Sequence, residues 1–130
     1  MILVDTSVWI ALFRRRRPLN LEAVVDLDDV VTCLPIIQEV LQGFGDEAAY
    51  RIASESMRNL PILENPLRLE VVDQAIELYR TARRNGIAVR SSADCLIAAC
   101  ALRNDCEVLH NDRDFQMIAR VSRLKVRDLK

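Results

Sequence analysis

The sequence contains few of the side chains that usually hold zinc. It has one histidine, His110, and none of its four cysteines is spaced as C-x-x-C. Zinc sites need clusters of these ligands at short spacings, so the sequence does not predict one. Lysine is also scarce, because only Lys125 and Lys130 occur. No stretch approaches the roughly 18 uninterrupted apolar residues of a membrane span.

The low glycine and proline content points to a compact fold. The chain has three glycines and four prolines in 130 residues, with 51% hydrophobic and 28% charged residues. Folding at this length hides about 68% of the unfolded surface, so we expect one domain spanning residues 1–130. The cysteines have apolar neighbours and should be small buried hydrophobes in a reducing compartment. No targeting segment is visible, and we expect a cytoplasmic protein.

The charge balance excludes a protein that binds polyanions through its overall charge. The formal net charge is −1, and 16 of the 18 basic residues are arginines. Arg14 to Arg17 form the only dense basic run. Any contact with nucleic acid must therefore come from a local patch.

Strand and helix patterns alternate along the chain. Short apolar runs predict strands at 2–4, 30–35, 60–65, 106–112 and 124–129. Helical patterns lie between them: Val8 to Phe13 with Ser7 as N-cap, 35–44, Glu47 to Asn59, 65–86, 91–105, and a short helix from Arg113. This alternation predicts an α/β fold with a mostly parallel sheet covered on both faces.

The helix predicted over 65–86 has the clearest end signals. Asn65 can cap it, Pro66 can take its first position, and Gly86 can end it. Leucine, valine, isoleucine and tyrosine recur every three or four residues, at Leu69, Val72, Ile76 and Tyr79. This spacing predicts an amphipathic helix.

Four acidic residues fall where this architecture forms sites. Asp5 and Asp112 directly follow predicted strands, while Glu39 and Asp94 lie early in helices. Sites in open α/β sheets form beyond the carboxyl ends of the strands. A helical projection places Asp94 on the small apolar face of its helix and Glu39 at the edge of an apolar stripe. Each acid also has an ordinary alternative as a cap, turn or surface residue, including a capping box between Asp94 and Ser91.

Clustered carboxylates limit the chemistry of such a site. Two carboxylates about 4 Å apart repel by roughly 4 kcal/mol at an effective dielectric constant of about 20, so four of them require a cation. Oxygen ligands without histidine or cysteine favour Mg²⁺ or Mn²⁺. Such ions lower the pKa of a bound water for attack on phosphodiesters. The residues therefore predict metal-dependent phosphodiester hydrolysis.

Four segments resemble the acidic motifs of PIN-domain proteins, particularly VapC-type toxins of bacterial toxin–antitoxin pairs: "ILVDTSVWI", "PIIQEVLQG", "SSADCLIAACAL" and "HNDRDFQMIA". The resemblance implies a PIN-like α/β/α sandwich, Mg²⁺- or Mn²⁺-dependent endoribonuclease activity, a cognate VapB-like antitoxin and a homodimer. Residue by residue, it implies Asp5, Glu39, Asp94 and Asp112 as catalytic metal ligands.

The same resemblance suggests supporting residues. Thr6 and Ser7 match the small hydroxyl residues after the first acid, and Ser7 is the better candidate for orienting Asp5. Asp114 either approaches the metals or caps the final helix. Arg90 and Arg113 adjoin the acidic motifs and are candidates for phosphate binding. The run Arg14 to Arg17 has three open roles: a solvated loop, an antitoxin-docking surface or an RNA contact.

Two other functions fit parts of the pattern. A receiver-like or flavodoxin-like module could have an acidic cation-binding pocket without hydrolysis, but a receiver needs a lysine near a late strand end, and both lysines lie at the end of the chain. A phosphatase forming an aspartyl-phosphate at Asp5 would usually have a second acid two residues later, where Ser7 stands.

Overall fold

A computed structural model describes all 130 residues and contains one five-stranded sheet in the order β3-β2-β1-β4-β5. The strands are β1 (Ile2–Val4), β2 (Val30–Cys33), β3 (Ile62–Leu63), β4 (Glu107–His110) and β5 (Lys125–Asp128). Every neighbouring pair is parallel. The predicted α/β fold is confirmed, and the sheet is parallel throughout.

The sheet is deepest at its middle strand. β1 lies between β2 and β4, and Leu3 is in register with Val31 on one side and Val108 on the other. These three residues are almost fully buried. A parallel sheet needs covering layers on both faces, which explains why the first strand of the chain is continuously apolar.

Six helices cover the sheet. They are α1 (Thr6–Phe13), α2 (Leu34–Leu41), α3 (Glu47–Arg58), α4 (Leu69–Arg84), α5 (Ser92–Arg103) and α6 (Arg113–Arg120). Because parallel crossovers are right-handed, α1 to α3 lie on one face and α4 to α6 on the other. The packing agrees: α1 contacts α2, α2 contacts α3, and α5 contacts both α4 and α6.

Strand order reverses at β1. The chain passes from β1 outward to β2 and β3, then returns to β4 and β5 on the other side. The carboxyl ends of β1 and β4 are therefore neighbours at the point where open α/β sheets bind their ligands. Asp5 follows one of these ends and Asp112 lies just beyond the other.

Two predicted helix starts are wrong. α1 begins at Thr6, and its N-cap is Asp5 rather than Ser7, because the Asp5 carboxylate accepts the Ser7 backbone N–H at 3.0 Å. α4 begins at Leu69 with Arg68 at the N-cap position, so Asn65 and Pro66 precede the helix instead of starting it. At its other end, Gly86 follows the helix with a φ of 75°, as expected of a residue that ends a helix.

The apolar stripe predicted for α4 is not its buried face. Leu69 and Ile76 are 71% and 51% exposed, while the buried residues are Val71, Ala75, Leu78 and Ala82. This face packs against α5, whose buried residues include three alanines and two cysteines in place of bulkier side chains. Close packing of two helices favours small residues, so the larger side chains of α4 lie outside. No helix is long and apolar enough to cross a membrane.

Candidate active site

Asp5 links the central strand to the first helix. Its side chain is 2% exposed, and Oδ2 accepts hydrogen bonds from the Ser7 hydroxyl at 2.6 Å and the Ser7 backbone N–H at 3.0 Å. The Ser7 hydroxyl in turn accepts the Asn111 backbone N–H at 2.9 Å. Ser7 therefore ties the ends of β1 and β4 together while it holds Asp5 in one orientation.

Thr6 holds the second acid. Its hydroxyl donates to Glu39 Oε1 at 2.9 Å, although the two residues are 33 positions apart. Glu39 lies on α2 and is half-buried, as the apolar stripe of that helix predicted. The hydroxyls of Thr6 and Ser7 thus serve two different acids.

Asp94 faces inward from the first turn of α5. It is 5% exposed, and Ser91 makes no side-chain capping bond at the start of the helix. The capping-box alternative for Asp94 is therefore wrong. One carboxylate oxygen of each of Asp94, Asp112 and Asp114 lies within 4.8 Å of the others.

The two acids around the last helix have different roles. Asp112 is the N-cap of α6 and accepts the Asp114 backbone N–H at 2.9 Å. Asp114 does not cap the helix, because its side chain is buried and Oδ2 accepts the Arg90 backbone N–H at 3.1 Å. Asp114 therefore joins the acidic cluster.

Arg90 lies against this cluster. Its Nε is 3.4 Å from Asp114 Oδ1, and one of its terminal nitrogens is 3.7 Å from Asp112 Oδ1. The Arg90 side chain is 65% exposed, so solvent screens these ion pairs. Arg113, the first residue of α6, is exposed.

Burial and mutual repulsion disfavour ionised acids at this site. Burial raises the pKa of Asp94 to about 8, and the charges of Asp5, Asp112 and Asp114 add to the effect. Burial also raises the pKa of Asp5, although hydrogen bonds from Ser7 and the Thr6 backbone oppose it. Without a compensating cation, Asp5 and Asp94 therefore hold their protons more tightly than exposed aspartates do.

Two buried oxygens indicate how the cluster is compensated. Asp5 Oδ1 and Asp94 Oδ2 have no hydrogen-bond partner. Buried polar atoms are normally paired, and a bound cation would give such an oxygen a partner. The surrounding donors are all carboxylate oxygens, which suits Mg²⁺ or Mn²⁺. The residues present therefore fit a hard divalent cation.

His110 is a site residue that the sequence did not reveal. It is fully buried at the end of β4, and its Nδ1 accepts the Asp112 backbone N–H at 3.2 Å. Its ring packs against Phe115, with centroids 5.6 Å apart. The sequence does not predict that His110 accepts the Asp112 N–H, because this contact depends on the conformation of the turn after β4.

The alternative functions find less support in this geometry. Lys125 pairs with Asp105 at 2.9 Å. It is the first residue of β5, which lies two strands away from β1. A receiver-like site would need a lysine at the acidic edge. The Ser7 hydroxyl donates to Asp5 and occupies the place where an aspartyl-phosphate phosphatase would have its second acid.

Comparison with known proteins gives consistent relatives. A sequence model of the PIN domain matches residues 2–121. Ribonuclease VapC11 of Mycobacterium tuberculosis is 38% identical, with 96% of each chain covered, and VapC ribonuclease Mb1587 of Mycobacterium bovis has the same identity and coverage.

Solved structures share the fold. VapBC-1 of nontypeable Haemophilus influenzae has a TM-score of 0.73 at 22% identity, covering 98% of both chains. VapBC-5 of Mycobacterium tuberculosis, a member of the VapBC family of toxin–antitoxin systems, has a TM-score of 0.69 at 24% identity, covering 98% of this chain and 96% of that one. The family match, the VapC relatives and the shared fold together show that this chain belongs to the PIN domain family as a VapC-type protein.

Proposed function

We propose that this protein is a Mg²⁺- or Mn²⁺-dependent endoribonuclease that acts as the toxin of a toxin–antitoxin pair. The observation that carries the proposal is the cluster of Asp94, Asp112 and Asp114 at the switch point of the sheet, where Asp94 has a buried carboxylate oxygen without a partner. Asp5, at the end of the neighbouring strand β1, has a second such oxygen. The relatives named as ribonucleases support RNA as the substrate.

Asp5, Asp94 and Asp112 would hold the cation, and Glu39 and Asp114 would complete the site. A bound divalent cation supplies charge neutralisation and a water of lowered pKa. One ion or two can be accommodated by this number of carboxylates. The chain's own contribution is to fix these oxygens before substrate arrives.

Hydrogen bonds from two hydroxyls and one backbone N–H hold the acids in place. Ser7 orients Asp5, Thr6 orients Glu39, and the Arg90 backbone fixes Asp114. Two acids, Asp5 and Glu39, accept a hydrogen bond from a hydroxyl, and Glu39 is the less buried of the two. We therefore assign Glu39 to positioning the attacking water. Arg90 and Arg113 would contact substrate phosphate, and Arg90 would turn from Asp112 toward the RNA once the cation has neutralised that carboxylate.

A VapB-like antitoxin is the expected protein partner. Solved relatives of this fold are named as VapBC toxin–antitoxin proteins, and a nuclease that is harmful to its own cell requires such control. We place the protein in the cytoplasm, where its four free, buried cysteines would stay reduced.

A homodimer is also part of the proposal. The outer face of α4 exposes Leu69 and Ile76, and the neighbouring surface of α5 includes the half-buried Leu96. Val72, Ile76 and Leu96 line one cavity of about 430 Å³ between the two helices. Apolar patches on a folded surface often mark an interface.

The test of the nuclease is cleavage of total cellular RNA by purified protein with Mn²⁺ or Mg²⁺. We expect discrete cuts that disappear with a chelator and with Asp94→Asn. Asp94→Asn keeps the shape of the side chain and removes its charge, and circular dichroism would show that it stays folded. Asp73→Asn, on the exposed side of α4, is the matched control and should cut normally.

Other results would overturn the assignment. Cleavage that continues with Asp94→Asn, or in excess chelator, would mean that the acidic cluster is not the active site. A folded protein that binds Mn²⁺ but cuts no RNA at high enzyme excess would favour the non-hydrolytic cation-binding module.

A further inference from the structure

A groove between α1 and α2 starts at the candidate active site. It has a volume of about 360 Å³, and its lining includes Glu39 together with Ile10, Phe13, Phe44 and Arg14. Ile10 is 60% exposed, and the rings of Phe13 and Phe44 meet edge to face with centroids 5.4 Å apart. One groove therefore connects a site acid to an aromatic pair and to the first residue of the arginine run.

Four consecutive arginines, Arg14 to Arg17, follow α1 and are called the arginine cluster here. Arg14 Nε donates to the Arg17 backbone oxygen at 2.7 Å, and Arg17 has a φ of 49°. The segment holds four consecutive arginines, and all four residues are exposed. Like charges are held together here without a compensating acid, because none of the ion pairs of the protein includes Arg14 to Arg17.

Some of the other exposed arginines are paired with an acid. Arg51, Arg84 and Arg103 each pair with a glutamate, and Arg127 pairs with Glu107. The guanidinium groups of Arg14 to Arg17 have no carboxylate partner, and apart from the Arg14 Nε their donors stay available for an external anion. Arginine presents these donors in a fork that matches phosphate oxygens.

We propose that the α1–α2 groove and the arginine cluster bind an unpaired segment of the RNA next to the scissile bond. A base would stack against the Phe13 and Phe44 pair, and Arg14 to Arg17 would bind the phosphates beyond it. This inference rests on the proposed ribonuclease function and names the binding surface for its substrate.

Electrostatics favours RNA over a protein in this groove. The active site presents five acidic residues, and the whole chain has a net charge of −1, so a polyanion is repelled unless a positive patch attracts it. Proteins bind single-stranded RNA with cationic grooves and aromatic stacking platforms. The groove has both features, and it opens on the acid that we assign to positioning water.

The dimensions indicate which phosphates are bound. α1 has eight residues, so it is about 12 Å long, with Asp5 before its first turn and Arg14 after its last. The arginines therefore bind phosphates outside the scissile one. Substrate contacts at that distance contribute mainly to affinity, whereas the cluster of acids acts on the reacting phosphate.

The test replaces Arg14 to Arg17 together with alanine. Binding of a fluorescein-labelled, mixed-sequence single-stranded RNA is followed by anisotropy across a salt series, with chelator present to prevent cleavage. The control replaces Arg51, Arg58, Arg120 and Arg123, which removes the same charge from α3, from the end of α6 and from the segment that follows α6. Phe44→Leu tests the stacking surface separately, because it keeps an apolar side chain.

We expect the Arg14 to Arg17 variant to bind RNA on the order of ten-fold or more weakly at low salt. The slope of log affinity against log salt should become shallower by about 0.7 for each phosphate that the variant no longer binds. Phe44→Leu should weaken binding roughly five-fold or more without changing that slope. In cleavage assays with Mn²⁺, KM should rise while kcat stays near the wild-type value.

Equal weakening in the control variant would overturn the proposal, since it would mean that overall charge alone sets the affinity. Unchanged RNA affinity and salt slope in the Arg14 to Arg17 variant would also overturn it. If that variant instead failed to form a complex with a VapB-like antitoxin, the groove would be assigned to the protein partner. In each of these cases, RNA cleavage by the wild-type protein would leave the ribonuclease assignment intact.

Discussion

At the scale of single residues, three consecutive side chains at the end of β1 make different contacts in the candidate site. Asp5 supplies a carboxylate with a partnerless oxygen, Thr6 bonds to Glu39, and Ser7 bonds to both Asp5 and the Asn111 backbone. Side chains one position apart on a helix point in different directions, so adjacent hydroxyls reach different acids. The sequence favours Ser7 for orienting Asp5 but does not assign Thr6 to Glu39, because that contact depends on how α1 packs against α2.

Thr6→Val should reduce RNA cleavage without unfolding the protein. Valine has a similar shape but removes the hydroxyl that donates to Glu39 Oε1. A hydrogen bond to a charged group is worth about 1.5–3 kcal/mol, so we expect a decrease in kcat of roughly ten- to a hundred-fold. Cleavage rates and thermal melting would be measured on the same preparations.

Thr6→Ser provides the matched control for this experiment. Serine retains the donor, so most of the activity should return. If Thr6→Ser and Thr6→Val were equally impaired, the effect would come from packing of the threonine methyl group, and the positioning role of Thr6 would be wrong.

At the scale of elements, the order of strands and helices followed from the sequence because apolar runs and helical periods are local signals. The helix starts were less certain, because Asp5 and Ser7 are both good caps, and the end of β1 decides between them. The acidic motifs could be located in the same way. Asp114 was ambiguous, since only the contact with the Arg90 backbone shows that its side chain turns inward.

The α4 helix shows how periodicity can identify the wrong face. Two apolar stripes run along it, and the one with larger side chains is the exposed one. A periodic stripe of large apolar residues predicts the buried face of a helix, but the face that packs against the alanine-rich α5 helix needs small residues. The exposed stripe is the physical basis for the proposed homodimer.

Ile76→Lys should therefore convert the dimer to a monomer. Ile76 is 51% exposed on α4, so a lysine adds little strain to the monomer but places a charge in an apolar interface. Size-exclusion chromatography with light scattering would measure the mass. Ile52→Lys on α3, where the isoleucine is 68% exposed, is the control, and it should leave the mass unchanged. A strictly monomeric wild-type protein would remove the dimer from the proposal.

At the scale of the whole molecule, the acidic cluster should affect stability as well as function. The folded protein holds a proton on Asp94 up to a pKa of about 8, whereas an aspartate in the unfolded chain has a pKa near 3.9. Between these values the folded state binds more protons than the unfolded state, so the free energy of unfolding falls as pH rises. Above the pKa of Asp94 in the folded protein, the bound proton no longer contributes to the free energy of unfolding.

In chelator, the wild-type protein should therefore lose more thermal stability between about pH 6 and about pH 9 than Asp94→Asn, which has no proton to release there. Mn²⁺ or Mg²⁺ replaces the proton as the compensating cation, so it should raise the melting temperature more at the higher pH. Differential scanning fluorimetry of both proteins, with and without metal, would measure both effects. Parallel stability profiles for the two proteins would show that Asp94 does not hold its proton more tightly when folded. Equal stabilisation by metal in Asp94→Asn and wild type would instead show that the cation binds elsewhere, because Asp94 is one of the acids that would hold it at the proposed site.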